Sequence, residues 1–214
     1  MITSPKGVTE VVEHEGLVLG PYLDSVNIWT YGVGHTAAAG GLNPGRMPKV
    51  DTRKWAPDRV DEEILSALAQ FDADLDQYEK RVRDAVKVTL KQHEFDALVS
   101  FDFNTGGIMR AKLTKSLNAG DTKAAARGFM GWLKPKEIIK RRTAEMNLFL
   151  SGNYDANGTD IPLYDALPDG RIRLRTVLDG KHVLKLMNRN NAKRPMYVSP
   201  FRGWLSSLFG RIFK

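Results

Sequence analysis

Two carboxyl side chains and a hydroxyl lie close together near the start of the chain and could perform acid–base chemistry. Glu15, Asp24 and Thr30 follow one another at offsets of nine and six residues. Hydrolysis of a glycosidic bond needs one carboxylic acid that protonates the leaving oxygen and a second carboxylate that activates water or attacks the sugar. Glu15 and Asp24 are candidates for these roles. The spacing alone is a weak signal, because a chain with 25 acidic residues offers such coincidences. The alternative is a solvated glutamate and aspartate with a core-facing threonine.

The residues before Glu15 predict a short helix. Ser4 and Pro5 are typical of an N-cap and a first helical position, and valines follow at helical spacing. Glu15 therefore falls in the last helical turn, and Gly16 is suited to the C-cap.

The residues after Gly16 predict a small β-hairpin. Residues 21–35 are rich in aromatic and β-branched side chains, and residues 25–27 are suited to the turn. A helix end would then hold the acid, and the hairpin would hold Asp24 and Thr30 on the other side of a cleft.

Four runs, in order along the chain, carry a resemblance to a known family. They are the sequence around the two carboxyls with Tyr22 and residues 30–35, then residues 92–106, 113–121 and 141–152. Together they resemble the phage-type lysozymes, glycoside hydrolase family 24, over residues 5–154. The resemblance implies a mostly helical α+β fold, with a small N-terminal hairpin lobe joined by a long helix to a helical lobe.

The resemblance also implies the reaction. Glu15 would be the general acid, Asp24 would position or activate the attacking water, and Thr30 would help to hold that water. The substrate would be peptidoglycan, cleaved at the β-1,4 bond between N-acetylmuramic acid and N-acetylglucosamine. The chemistry requires no cofactor and no metal, and the source would be a phage or prophage endolysin.

By the same resemblance, an arginine of the closing helix lies beside the acid. Arg141 is the first candidate and Arg142 the second. An arginine would favour the ionised form of Glu15, whereas the apolar neighbours of Glu15 would favour the protonated form. The sequence leaves open which effect is larger.

Further cleft residues follow from the resemblance. Phe103 and Ser116 match positions that line the saccharide groove, although Phe103 also fits a core residue at helical spacing from Val99. His35 is expected to support the hairpin, and through it the acid, rather than to act as a base. Asn104 receives no role.

Other segments predict helices and an extension. Apolar residues at steps of three and four predict a long helix over residues 60–82, and residues 89–104, 121–132 and 137–150 also fit helices. The chain then divides into a catalytic domain (1–154), a segment of linker and hairpin (155–188) and a tail (189–214).

The segment after residue 154 has its own signals. Residues 155–168 predict a linker or turns. The stretches 172–177 and 183–186 predict a second hairpin around Asp179 and Gly180, interpreted as a structural appendix on the catalytic domain.

The C-terminal tail, residues 189–214, holds most of the chain's net charge of +7, because it has six basic and no acidic residues. Phe201, Trp204 and Phe209 belong to an apolar stripe at helical spacing, with Arg211 outside it. Such a helix is too short to span a bilayer and suits an anionic membrane surface or lipopolysaccharide. Docking on the catalytic domain and dimerisation remain alternatives.

Composition narrows the functional classes. The chain has no cysteine, so disulfides and thiolate metal sites are excluded. Because the surplus charge lies in one apolar-striped tail rather than in a groove, nucleic acid is not an expected partner. No signal peptide or membrane span is predicted. We expect a monomer, made in the bacterial cytoplasm and acting on the periplasmic wall; a peptidoglycan-binding module is the alternative to an enzyme.

Overall fold

Helices and a small sheet follow one another along residues 1–154 and 161–193, the part of the chain that the computed structural model describes. The elements are α1 Pro5–Glu15, β1 Leu17–Leu23, β2 Trp29–Gly32, β3 His35–Thr36, α2 Pro57–Ala85, α3 Gln92–Thr105, α4 Lys112–Asn118, α5 Thr122–Phe129, α6 Ile139–Ser151, β4 Ile161–Ala166, β5 Ile172–Leu178 and α7 Gly180–Lys193.

Helix α1 has the caps that the sequence predicts. The Ser4 hydroxyl accepts a hydrogen bond from the backbone N–H of Gly7 at 3.0 Å and donates one to the Asp96 carboxylate of α3 at 2.6 Å. At the other end, Gly16 has a φ of +77° and its N–H donates to the Val12 carbonyl. The helix therefore ends directly after Glu15.

The sheet has the strand order β3-β2-β1-β4-β5. Strands β1 and β2 form the predicted first hairpin, but β1 begins at Leu17, four residues earlier than predicted, because Leu17, Val18 and Leu19 are buried in the core. The register between β1 and β2 shifts between Val18 and Pro21. On its other edge β1 pairs in parallel with β4.

The prediction for the segment after residue 154 was wrong in its details. The second hairpin consists of β4 and β5, so residues 161–166 form a strand rather than part of a linker. Asp179 and Gly180 do not form a hairpin turn: the Asp179 carboxylate accepts from the Lys181 N–H at 2.8 Å at the start of α7. Residues 183–186 are helical because Val183 and Leu186 are buried, and α7 packs against α1.

The long helix predicted over residues 60–82 is α2, and it connects the sheet to the helical part of the chain. Its predicted apolar stripe is buried, including Ile64, Phe71 and Leu75. Helices α3, α5 and α6 pack against one another below it. The α+β fold, mostly helical with a small sheet, is confirmed.

The predicted tail helix, with Phe201, Trp204, Phe209 and Arg211, lies outside the described residues. Among residues 1–154 and 161–193, no helix is long and apolar enough to cross a membrane.

Candidate active site

Glu15 occupies the end of α1, and its side chain remains 27% exposed. Its carboxylate accepts a hydrogen bond from the guanidinium of Arg141, which α6 contributes. Arg141 is otherwise buried, and it also donates to Glu145 at 2.9 Å and to the Ser100 carbonyl at 3.2 Å. The structure thus places Arg141, rather than Arg142, directly on the candidate acid.

Glu145 is the anion at the centre of this charge cluster. Its carboxylate lies 2.9 Å from Arg141 and 2.6 Å from Arg142, and the Ser100 hydroxyl donates to it at 2.7 Å. Burial raises the pKa of Glu145, while the two arginines and Ser100 oppose that rise. Because both guanidiniums lie against it, the Glu145 carboxylate supplies a buried negative charge that balances them.

Arg142 extends the cluster to α3. It is fully buried, lies over the Phe101 ring at 5.2 Å and donates to the Asn104 side-chain oxygen at 2.7 Å. Sequence reasoning gave Asn104 no role, because its only signal was a residue type unlike that of the family. In the structure, Arg142 contacts Glu145 on one side and Asn104 on the other, so Asn104 belongs to the same cluster.

Asp24 lies in the turn of the first hairpin. Its Oδ1 atom accepts hydrogen bonds from the backbone N–H groups of Val26 at 2.9 Å and Ile28 at 2.8 Å. Within the described residues, Oδ2 has no hydrogen-bond partner. The turn therefore fixes one carboxylate oxygen and makes no hydrogen bond to the other. The buried Thr30 hydroxyl donates to the Ile28 carbonyl at 3.0 Å in the same turn.

Tyr22 lies near both carboxyls, although sequence reasoning used it only as part of a motif. Burial, followed by the negative charges of Glu15 and Asp24, raises the pKa of Tyr22 to about 12. The phenol is therefore within electrostatic range of both carboxyls, and it stays protonated near neutral pH. Its position two residues before Asp24 was the signal that could have identified it.

His35 supports the hairpin and has no contact with Glu15. One ring nitrogen lies 2.8 Å from the Asp74 carboxylate of α2, and the other lies 2.8 Å from the Leu42 carbonyl. The ring is buried between them. His35 therefore connects β3 to α2 and to the loop that follows β3.

The structure does not bring Phe103 and Ser116 into contact with the carboxyls. Phe103 packs edge-on against Phe71, with ring centroids 5.3 Å apart, and lies 5.0 Å from the Tyr78 ring. These contacts attach α3 to α2. Ser116 is half-buried on α4. Among the described residues, no group of His, Asp and Glu side chains could hold a metal ion.

A cavity of about 480 Å³ opens beside Glu15. It is lined by residues of α1, the end of α3, the start of α6 and the short segment just before α6, namely Glu13, His14, Glu15, Asn104, Glu137, Ile138, Lys140 and Arg141. Burial lowers the pKa of His14 to about 3, with further contributions from the positive charges of Arg141, Arg142 and Lys140. His14 is therefore uncharged at neutral pH, which no sequence signal indicated.

A helical fold with a small sheet, with one carboxyl at a helix end and a second in a hairpin turn, is the arrangement expected of a lysozyme-type glycoside hydrolase. Comparison with known proteins specifies the family. The model of the phage lysozyme family matches residues 12–145.

Individual relatives agree with this match. Endolysins of Acyrthosiphon pisum secondary endosymbiont phage 1 and of Salmonella phage P22 are each 34% identical to this chain, over 162 and 157 residues, and each alignment covers 71% of this chain and 99% of the relative. A crystal structure of a P22 lysozyme mutant has a TM-score of 0.56 and 30% identity, with coverage of 71% and 99%. The chain therefore belongs to the phage lysozyme family and is a muramidase that hydrolyses peptidoglycan.

Replacing the central anion of the cluster should cost much stability. Glu145→Gln leaves Arg142 buried without a balancing charge and leaves Arg141 with only the partly exposed Glu15. We expect the free energy of unfolding in urea to fall by about 3–5 kcal/mol. Ser100→Ala is the matched control, because it removes one hydrogen bond to the same carboxylate and should cost about 1 kcal/mol. Equal losses in the two variants would contradict the central role of Glu145.

The lowered pKa of His14 makes stability depend on pH. The unfolded chain protonates His14 near pH 6.5, whereas the folded chain does so near pH 3. The contribution of uncharged His14 to the free energy of unfolding is therefore fully present above pH 6.5. It is lost as the pH falls from 6.5 towards 3. At pH 4.5 the loss amounts to at most about 2.7 kcal/mol. His14→Gln lacks this titration, so its melting temperature should fall less than that of the wild type between pH 7.5 and pH 4.5. An equal fall in the melting temperatures of the two proteins would show that folding does not lower the pKa of His14.

Proposed function

We propose that Glu15 is the general acid of this muramidase and that Asp24, with Thr30, positions and activates the attacking water. The bond cleaved is the β-1,4 linkage between N-acetylmuramic acid and N-acetylglucosamine. The observation that best supports the proposal is the location of Tyr22, since both Glu15 and Asp24 are close enough to raise the pKa of its phenol.

In the proposed reaction, Glu15 gives one proton and Asp24 takes one. Glu15 donates its proton to the leaving glycosidic oxygen, which takes the electron pair of the breaking bond to the anomeric carbon. Arg141 then stabilises the carboxylate that remains. Water adds to the anomeric carbon from the opposite face and gives its proton to Asp24, whose Oδ2 atom the hairpin turn leaves unused. A water nucleophile predicts inversion of the anomeric configuration.

The acid assignment can be tested by clearing of Gram-negative cells whose outer membrane has been permeabilised. Glu15→Gln should clear them at least about 100-fold more slowly than the wild type, because proton donation to the leaving oxygen is lost. Glu62→Gln, an equal change on an exposed face of α2, should clear normally. Equal clearing by Glu15→Gln and wild type would show that another group is the acid, and NMR of the first anomer released would reveal inversion or retention.

We also propose how the enzyme reaches its substrate. As in phage endolysins, it would be made in the host cytoplasm and act on the periplasmic wall. The site supports a monomer, since one chain supplies Glu15, Asp24 and Arg141. The tail (189–214) would bind the anionic membrane or lipopolysaccharide, because its basic residues have no acidic residues among them and its apolar residues recur at helical spacing.

Removing residues 194–214, which leaves α7 Gly180–Lys193 in place, should separate binding from hydrolysis. Hydrolysis of purified peptidoglycan should stay near the wild-type rate. Binding to phosphatidylglycerol-containing vesicles should weaken about 10-fold or more, because basic residues near an anionic surface are lost. Full vesicle binding by the shortened chain would contradict the membrane proposal, and sedimentation would then show whether residues 194–214 mediate dimerisation.

A further inference from the structure

The second hairpin, residues 161–178, lies beyond the family match, which ends at residue 145. It nevertheless contacts the strand that connects the two candidate catalytic carboxyls. Strand β1 starts two residues after Glu15 and ends one residue before Asp24. The second hairpin contacts β1 at both of these ends.

At the Glu15 end, the second hairpin packs on Gly16. A Cβ atom on Gly16 would lie 3.1 Å from the Tyr164 ring and 3.3 Å from the Pro162 ring, so both side chains lie against the residue that follows the acid. Strand β4 also pairs with the next two residues of β1, since Leu17 is the partner of Leu163 and Val18 that of Tyr164.

At the Asp24 end, the tip of the second hairpin holds the last residue of β1. The Leu23 N–H donates to the Gly170 carbonyl at 2.8 Å. Gly170 has a φ of +85°, and a Cβ there would lie 2.7 Å from Leu23 and 3.2 Å from the Trp29 ring. Trp29 pairs with Leu23 across the first hairpin. Gly170 therefore lies close to both strands that flank the Asp24 turn.

The second hairpin has its own anchor away from these contacts. The buried Asp165 carboxylate accepts from the Thr52 hydroxyl at 2.8 Å and from Arg175 at 2.9 Å, and Arg175 also donates to the Trp55 carbonyl at 3.1 Å. Thr52 in turn accepts from the backbone N–H of Ala166 at 3.0 Å. These buried hydrogen bonds fix β4 and β5 on the loop that precedes α2.

The first hairpin alone constrains β1 incompletely. The register between β1 and β2 shifts between Val18 and Pro21, and such irregularities bend a strand and interrupt its ladder. Strand β4 supplies hydrogen-bonded pairing next to this irregularity, at Leu17 and Val18. In the part of β1 nearest to Glu15, Val18 pairs with both β2 and β4, whereas Leu17 pairs with β4. The second hairpin therefore adds pairing at the end of β1 that follows the acid.

We propose that the second hairpin fixes the separation of Glu15 and Asp24, with Tyr164 and Gly170 as positioning residues for the hydrolytic reaction. The inference rests on the proposed roles of the two carboxyls. Neither positioning residue touches the reacting atoms in this scheme; each acts through β1. A displacement of one carboxyl by about 1 Å can reduce the rate about 100-fold. Loosening either end of β1 should therefore lower kcat.

Tyr164→Ala tests the contact at the Glu15 end, by reducing-end release from purified peptidoglycan. We expect kcat to fall between about 10-fold and 100-fold while KM changes by less than about twofold, because the acid is displaced but the groove remains. The pH profile of kcat should also change, because displacement of the acid alters its contact with Arg141. Tyr164→Phe keeps the ring on Gly16 and should restore wild-type kcat.

Ile172→Ala is the matched control, because it truncates an apolar side chain of the same hairpin that is 41% exposed. It should leave kcat and the pH profile unchanged. Melting temperatures identify variants that remain folded; if Tyr164→Ala does not fold, Tyr164→Leu takes its place. Thr52→Val weakens the anchor of the second hairpin and should lower kcat in the same way.

The outcomes distinguish a failure of the positioning role from a failure of the acid assignment. An inactive Glu15→Gln together with wild-type kcat in folded Tyr164→Ala would overturn the inference alone. A change confined to KM, or a fall in melting temperature with kcat and pH profile unchanged, would also overturn it. Full activity of Glu15→Gln in the same assay would overturn the assignment of the acid, and the positioning role with it.

Discussion

The position of the candidate acid depends on one buried anion, the carboxylate of Glu145. Two guanidiniums and a hydroxyl surround it, and one of these guanidiniums reaches out to Glu15. A buried arginine without a counter-charge would be strongly destabilising, so Glu145 balances Arg142 and, together with Glu15, Arg141. The same anion connects α6 to α3 through Ser100. Through Glu145, therefore, the packing of the helical lobe determines what the end of α1 meets.

The two carboxyls are held by different kinds of interaction. Glu15 is held by charge and by helix packing, whereas Asp24 is held by backbone N–H groups of its own turn. Local backbone bonds form with the hairpin and need no distant partner. The charge cluster requires α1, α3 and α6 to be assembled first. Strand β1 is the covalent connection between the two arrangements, so its fixed shape is what combines them into one site.

The local elements of this fold could be predicted because their signals are local. Ser4 and Gly16 cap α1 through bonds within a few residues, and the stripe of α2 repeats along one helix. The second hairpin was misplaced because Asp179 and Gly180 are suited to a turn and to a helix start alike. Pro162 also favoured the prediction of a linker over a strand, because proline is typical of turns. Only the burial of Val183 and Leu186 against α1 decides between these alternatives.

The site could be predicted in part for the same reason. Glu15, Asp24 and Thr30 lie in one run of sequence, and Arg141 followed from a resemblance. The states of Tyr22 and His14 depend on which charges and side chains surround them in the folded chain, and sequence spacing does not contain that information.

The charges near Glu15 also explain why an uncharged histidine precedes it. Lys140, Arg141 and Arg142 already surround the end of α1, so a protonated His14 would add a cation where three are present. Burial removes the water that could screen that repulsion. Near Asp24, burial and then the two carboxylates raise the pKa of Tyr22 to about 12. Burial is thus the first cause of both shifts, and the charges around each side chain add to it, so His14 and Tyr22 are both uncharged at neutral pH.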